Sequence, residues 1–240
     1  LLSLISVEGA RSTDDADPIR ERENRLCSTT VTANRHDFDA DLRIRISDNL
    51  DTFEWRTQPD PELRSAAVAL IVTANENGEA CFLITRRTSK LRHHSGQFAL
   101  PGGRLDDQET IIEAALRETH EEIGLQLTSA NVLGRLDDFA TRSGFRMSPI
   151  VVWAEPGQSL RPNPDEVEEL HIVPLSELEK PGSPILRDIP ESDRPVLSIP
   201  ILNTLVHTPT AAILFQFREV ALAGRHTRVA HYEQPVFAWR

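Results

Sequence analysis

Between Gly103 and Leu125 the chain reads GRLDDQETIIEAALRETHEEIGL, and its acidic residues fall at intervals suited to holding a cation. Gly103 is followed after five residues by Glu109, and after seven more by Arg117 and Glu118. Glu121, Glu122 and, one residue further, Gly124 complete the set. Glu118, Glu121 and Glu122 are three and four apart, so on a helix their side chains are neighbours at about 5 to 6 Å. Apolar Ile111, Ile112, Ala115, Leu116 and Ile123 recur near the helical period, which assigns them to a buried face and the carboxylates to the opposite one. Three unneutralised carboxylates repel one another and weaken the helix, so a cation should complete them. Mg²⁺ is a hard ion that takes a few carboxylates together with water and substrate phosphate. His120, in the same run, reads as a surface residue and not as a ligand. Gly124 ends the helix where a left-handed or crowded backbone is needed.

This spacing is the Nudix box, and the chain resembles Nudix hydrolases there. Seven specified letters at average residue usage would coincide by chance on the order of 10⁻⁹ to 10⁻⁸ per starting position. The resemblance implies a Nudix fold of the α/β class, an α/β/α sandwich with a mixed β-sheet and the box as loop, helix and loop. It implies divalent-metal-dependent hydrolysis of a diphosphate with Mg²⁺ or Mn²⁺. Gly103, Glu118, Glu121 and Glu122 are then the metal set, with Glu109 and Arg117 supporting the glutamates. Direct pairing of Glu109 with Arg117 requires Glu109 to reach from a loop or the first turn.

Immediately upstream, Leu83 to Gly103 read LITRRTSKLRHHSGQFALPGG. Thr85, Arg87, Arg92, Gly96, Pro101, Gly102 and Gly103 fall in register with the extended motif of the coenzyme A diphosphatases, which this stretch resembles. Thr88, Leu100 and Thr119 depart from the family pattern. The loop gathers Arg86, Arg87, Lys90, Arg92, His93 and His94 in a chain of formal net charge -11. Guanidinium groups bind phosphate oxygens bidentately and keep their charge, so Arg86, Arg87 and Arg92 are expected to hold substrate phosphate. Gly102 and Gly103, without side chains, let the backbone approach the site. The resemblance extends to Thr141–Phe145, where Arg142 either reaches phosphate or is an ordinary loop charge. It also places a glutamate in the turn at Asn163 to Glu168. Glu166 is the candidate there, as a further metal ligand or as the base that takes a proton from water, with Glu168 its competitor.

The implied substrate is coenzyme A or an acyl derivative, cleaved to adenosine 3′,5′-bisphosphate and 4′-phosphopantetheine. A second enzymatic reading is hydrolysis of ADP-ribose or NADH. A reading of another class is a non-catalytic nucleotide-binding module, whose sign would be missing box carboxylates; none is missing.

Positioning these residues falls to elements visible as patterns. Residues 1 to about 33 are polar and charged with little periodicity, and are expected to be mobile or to dock late. Leu42, Ile46, Leu50 and Phe53 predict a short helix over about 39–54. Residues 1–63 are therefore read as an extension and 64–240 as the hydrolase domain. AAVALIVTA and ACFLIT are strand-like runs around Asn75–Gly78, a hairpin turn. NVLGRLDDFATRSGFRMSPIVVWAE supplies more strands, with a turn at Ser143–Gly144. PTAAILFQFREVALA predicts an apolar helix and TRVAHYEQPVFAW a last strand. The run near Pro195 to Leu205 either closes the core or packs a second subunit, so a homodimer stays open.

Composition is that of a globular chain: 240 residues, 39% hydrophobic and 26% charged. No run approaches a membrane span. The opening LLSLIS is too short and lacks a basic leader for a signal peptide, although the first residue, Leu1, leaves processing open. A pI near 5.2 disfavours nucleic acid as partner. Cys27 and Cys81 make no metal spacing, and Cys81 is expected as a buried thiol. The expected partner is a small nucleoside diphosphate derivative, and the expected compartment cytoplasmic, with an organellar matrix open.

Overall fold

Two apolar runs separated by Asn75–Glu76–Asn77–Gly78 form the first hairpin, β1 (Arg64–Ala74) and β2 (Ala80–Arg87). The Asn75 side chain closes its turn, accepting from the Asn77 and Glu79 amides at 2.9 and 3.1 Å. The computed structural model describes residues 35–88 and 96–239. Arg92, Lys90, His93, His94, Cys27 and the expected mobile segment 1–33 lie outside those residues.

β1 and β2 pair only from Val72↔Phe82 to Ala74↔Ala80 and then part. The gap is filled by β3 (Phe98–Ala99), which pairs with β2, and β4 (Gly102–Arg104), which pairs with β1. β5 (Val132–Arg135) and β6 (Phe139–Ala140) pair in succession along one edge of β7 (Phe145–Trp153), whose other edge runs parallel to β1 from Arg64↔Phe145 to Val72↔Trp153. β8 (Val167–Pro174) pairs with the free side of β2, which completes a mixed eight-stranded sheet.

Both faces of β1 are covered, which is why its sequence is apolar without alternation. Ala67, Ala69 and Ile71 meet Ala114, Ala115 and Ile123. Val68, Leu70 and Val72 face a larger cluster. That cluster contains Leu42, Ile46 and Leu50 of α1 (Ala40–Asp51), on the opposite side of the sheet from α2 (Ile111–Ile123). It also takes Leu197, Ile199 and Ile201 from a three-stranded sheet of β9 (Ile185–Ile189), β10 (Ser192–Ile201) and β11 (Thr204–His207). Ile213, Leu214 and Phe217 of α3 (Thr210–Phe217) join them. Each such buried aliphatic or aromatic side chain contributes roughly 1.5–3 kcal/mol. The layering is the helix–sheet–helix sandwich expected, with β9–β11 added to the outer layer.

α1 starts where expected, with Asp39 accepting from the Leu42 amide at 2.8 Å. It does not stand apart as an extension. The described residues fall in one compact unit, Ala33–Arg240, and α1 is part of its core. The run at Pro195–Leu205 closes the core through β10. α3 continues to Leu222 in a wider turn in which the Ala223 amide bonds the Arg218 carbonyl at 3.1 Å. The expected last strand does not form. That segment makes an isolated bridge, Val196↔Glu233, and then a short helical turn at Val236–Ala238. Pro235 has no amide to give a ladder, and the buried Glu233 is committed to arginines. Cys81 is a buried thiol, and burial pushes it up to about 11.

Candidate active site

The box helix is fixed at both ends by local chemistry. At its start Thr110 and Glu113 form a reciprocal capping pair: the Glu113 amide donates to Thr110 Oγ1 at 3.2 Å and the Thr110 amide to Glu113 Oε2 at 2.8 Å. At its end Gly124 takes a left-handed conformation, φ 71°, and a Cβ there would lie 2.9 Å from the Cβ of Arg161. The Arg161 and Asn163 amides reach back to the carbonyls of Ile123 and Glu122 at 2.7 and 2.8 Å, so two otherwise orphaned helix carbonyls are satisfied. The same docking delivers the turn that carries Glu166. The Glu166 amide bonds the Asn163 carbonyl, and its own carbonyl accepts from the Thr88 amide, both at 3.0 Å.

Glu109 stands in the loop just before the helix, the position that direct pairing requires. Arg117 Nε and Nη2 donate to its two carboxylate oxygens at 2.8 and 3.0 Å. Nη1 of the same guanidinium donates to Glu118 at 2.8 Å and to Glu121 at 3.0 Å, and Nη2 donates to the Arg104 carbonyl at 2.9 Å. One arginine thus ties loop, helix and β4 together. Its hydrogen bond holds the Glu109 carboxyl below the usual range.

Glu118, Glu122 and Glu166 each present an oxygen within 4.8 Å of the others. Glu122 is only 2% exposed, with Arg87 Nη1 at 3.4 Å as its cationic neighbour. Burial pushes the Glu122 carboxyl up to about 8; Arg87 opposes the rise, and Glu166 and Glu118 add to it. Burial also raises Glu118, against the pull of Arg117. Three carboxylate groups this close favour a cation between them. An all-oxygen set from two separate elements is what a hard divalent cation takes, so these residues fit Mg²⁺ or Mn²⁺. Gly103 makes room for them: a Cβ there would stand 2.3 Å from Glu118 Oε1.

Glu118 and Glu122 converge as the periodicity predicts, but Glu121 does not join them. Glu122 is on the buried side of α2, whereas the Glu121 side chain is 50% exposed, held by Arg117 and outside the cluster of three. An interval of one residue turns a helix by about 100°, enough to separate neighbours when one edge of the helix lies on a sheet. Thr119, at the aliphatic position, is buried too, its hydroxyl donating to the Ala115 carbonyl at 2.7 Å. His120 is exposed, as expected.

A cavity of about 530 Å³ lies on the other face of the sheet. Its lining includes Arg87, Phe98, Gly102 and Gly103, together with Arg64, Arg104, Thr141 and Phe145. Position 103 pairs with Ala67, whose side chain packs on the α2 side, while Ala66 and Val68 face the cavity. Cavity and acidic cluster therefore meet at the Gly102–Gly103 backbone and at Arg87. The segments on either side of the box in sequence, Thr85–Gly103 and Thr141–Phe145, both contribute residues to this one space.

Two of the expected phosphate binders have other partners. Arg86 pairs with Glu169 at 3.0 Å and with Glu168 at 3.6 Å, which also accounts for Glu168, the competitor of Glu166. Arg142 is bound in a fork by Glu233, Nε at 3.1 Å and Nη2 at 2.5 Å, and lies over the Trp239 ring. Both arginines find carboxylates on elements remote in sequence, which spacing does not reveal. Residue spacing does not mark Arg64 and Arg104, which border the cavity. The only available signal was strand alternation with Ala66 and Val68, and it needed the pairing register to be useful.

The family model described as NUDIX domain matches residues 63–192. A NudL protein of Photorhabdus laumondii, named as an uncharacterized Nudix hydrolase, is 39% identical over 140 residues, 56% of this chain and 74% of that protein. Nudix hydrolase 3 of Caenorhabditis elegans is 34% identical over 154 residues, 61% of this chain and 64% of its own length. A solved MutT protein of Methanosarcina mazei Go1 aligns at a TM-score of 0.40 with 24% identity, covering 54% of this chain and 86% of that one. With the family model spanning more than half its length, and the box folded as loop, helix and loop, the chain belongs to the Nudix family, hydrolases of phosphorus-containing anhydrides.

Proposed function

We propose that this chain is a divalent-metal-dependent diphosphatase of nucleotide derivatives and that coenzyme A, free or acylated, is its substrate. The observation that carries the reaction is the triad Glu118, Glu122 and Glu166, converging within 4.8 Å beside Gly103 and Arg87, which also line a substrate-sized cavity. Mg²⁺ or Mn²⁺ bound there would polarise a phosphoryl oxygen and lower the pKa of an attacking water. Arg117 orients Glu118 through the 2.8 Å bond and is itself held by Glu109. Arg87, shared between Glu122 and the cavity, is placed to meet the diphosphate, and a guanidinium suits its charge. Gly102 and Gly103 leave the backbone bare where the two spaces join.

Support for coenzyme A comes from the two motif segments that resemble that group and that wall the same cavity. Arg92 of that motif, outside the described residues, belongs to the same reading. Glu121 is assigned a supporting role through Arg117 in place of direct ligation. Hydrolysis of coenzyme A, 3′-dephospho-coenzyme A, ADP-ribose and NADH, each with Mg²⁺ and with Mn²⁺, tests the reading. Preferential conversion of coenzyme A to adenosine 3′,5′-bisphosphate is expected. Preference for ADP-ribose or NADH would keep the reaction and discard the substrate, and no turnover of any of them would discard both.

A further inference from the structure

Arg64, Arg104 and Phe145 stand on three adjacent strands, Arg104 opposite Ala66, two residues along β1 from the Arg64–Phe145 pair. The registers Ala66↔Arg104 between β1 and β4, and Arg64↔Phe145 between β1 and β7, put all three on the face that bears Ala66. That face lines the cavity, and all three residues border it. Both guanidinium carbons lie over the Phe145 ring, at 4.0 Å for Arg64 and 5.1 Å for Arg104. These contacts hold both guanidinium groups beside the ring, where their remaining N–H donors can meet a ligand. Arg64 spends one donor on the Ser143 carbonyl at 3.0 Å. Among the described residues neither side chain has a carboxylate within 4.0 Å. In a chain with 37 acidic residues against 26 basic ones, two neighbouring arginines without an acid partner are unusual.

We infer that Arg64 and Arg104, held on Phe145, form a subsite for a phosphomonoester dianion on the part of the substrate that is not cleaved. Two guanidinium forks can share the oxygens of one such group. Arg104 directly follows Gly103, against which Glu118 sits, so a nucleotide with its diphosphate at the acidic cluster can carry a second phosphate to this pair of arginines. The inference rests on the diphosphatase reading above; with coenzyme A the group is the ribose 3′-phosphate. The subsite makes the enzyme selective for nucleotides phosphorylated on the ribose.

The test compares kcat/KM for two pairs that differ only in a ribose phosphate, coenzyme A against 3′-dephospho-coenzyme A and NADPH against NADH. It uses the full chain and the double variant Arg64→Gln, Arg104→Gln. The wild type should prefer the phosphorylated member of the cleaved pair by about 30-fold or more, chiefly through KM, as expected for two charged hydrogen-bonding partners. The double variant should lose most of that ratio, and Arg64→Lys, Arg104→Lys should restore part of it. A wild type that cleaves both members alike, or a double variant that keeps the ratio, overturns the subsite and leaves the diphosphatase reading intact. If no pair is cleaved, that reading fails, and calorimetric binding of adenosine 3′,5′-bisphosphate against adenosine 5′-monophosphate decides the subsite. Tighter binding of the bisphosphate that the double variant abolishes supports it; equal binding refutes it.

Discussion

At the scale of single residues, helical neighbours with the same side chain do different work. Glu122 is buried between Arg87 and the other two acids, whereas Glu121 is half in solvent and bonded to Arg117. Glu122→Gln keeps shape and removes the anion, so turnover should fall by about 10³-fold or more if that carboxylate holds the cation that makes the nucleophile. Glu121→Gln should cost no more than about tenfold, since the remaining bonds of Arg117 persist. Steady-state kinetics with thermal melting as the fold control checks both, and similar losses for the two variants would refute this division. The identity of the acids was legible from spacing alone. Which of them turns inward was not, because it depends on the angle at which the helix lies on β1.

Among elements, α2 shows how local capping and remote docking cooperate. The Thr110–Glu113 pair satisfies amides at the start, and the Arg161–Asn163 segment satisfies carbonyls at the end. Thr110→Ala removes only the first of these and should cost about 1 kcal/mol of stability in denaturant unfolding, with kcat nearly unchanged. A kcat loss beyond about tenfold would mean that the cap also sets the position of the acids. The helix, its glycine stop, the β1–β2 hairpin and the turn before β7 could all be read from residue pattern, since each is specified within a few residues. The expected last strand was not legible as a turn-rich segment, because its apolar residues pack on the core without entering a ladder.

For the molecule as a whole, the C-terminal segment is fastened by a buried acid. Glu233 accepts from Arg142, from Arg194 at 2.7 Å and from Ser192 at 2.9 Å, and from the Gln234 amide at 2.9 Å. Burial alone would raise its carboxyl, but these donors outweigh it and hold the group down at about 2. A carboxyl depressed in the folded state contributes stability above its unfolded value, and that contribution is lost as pH falls toward the folded one. Melting temperature should therefore fall more steeply for wild type than for Glu233→Gln between about pH 5 and 3, with the variant less stable at pH 7. Parallel curves would show that Glu233 contributes nothing to acid sensitivity. None of its arginine partners is near it in sequence, so this network belongs to the tertiary structure. Among the described residues, no helix is long and apolar enough to cross a membrane.

The Nudix box, its helix, its glycine boundaries and the strands around it follow from residue pattern alone, because propensity, capping and periodicity act over one or two turns of chain. Only the tertiary structure brought Glu166 and Arg87 to Glu122, moved Glu121 out of the cluster, and gave Arg86 and Arg142 to carboxylates elsewhere. It alone brought together Arg64, Arg104 and Phe145 from β1, β4 and β7. Those placements depend on how β1 and β2 separate to admit β3 and β4, and on the register each strand adopts. A one-residue slip would turn every side chain of a strand to the other face, so register, which is fixed by long-range packing, decides what the local pattern leaves open.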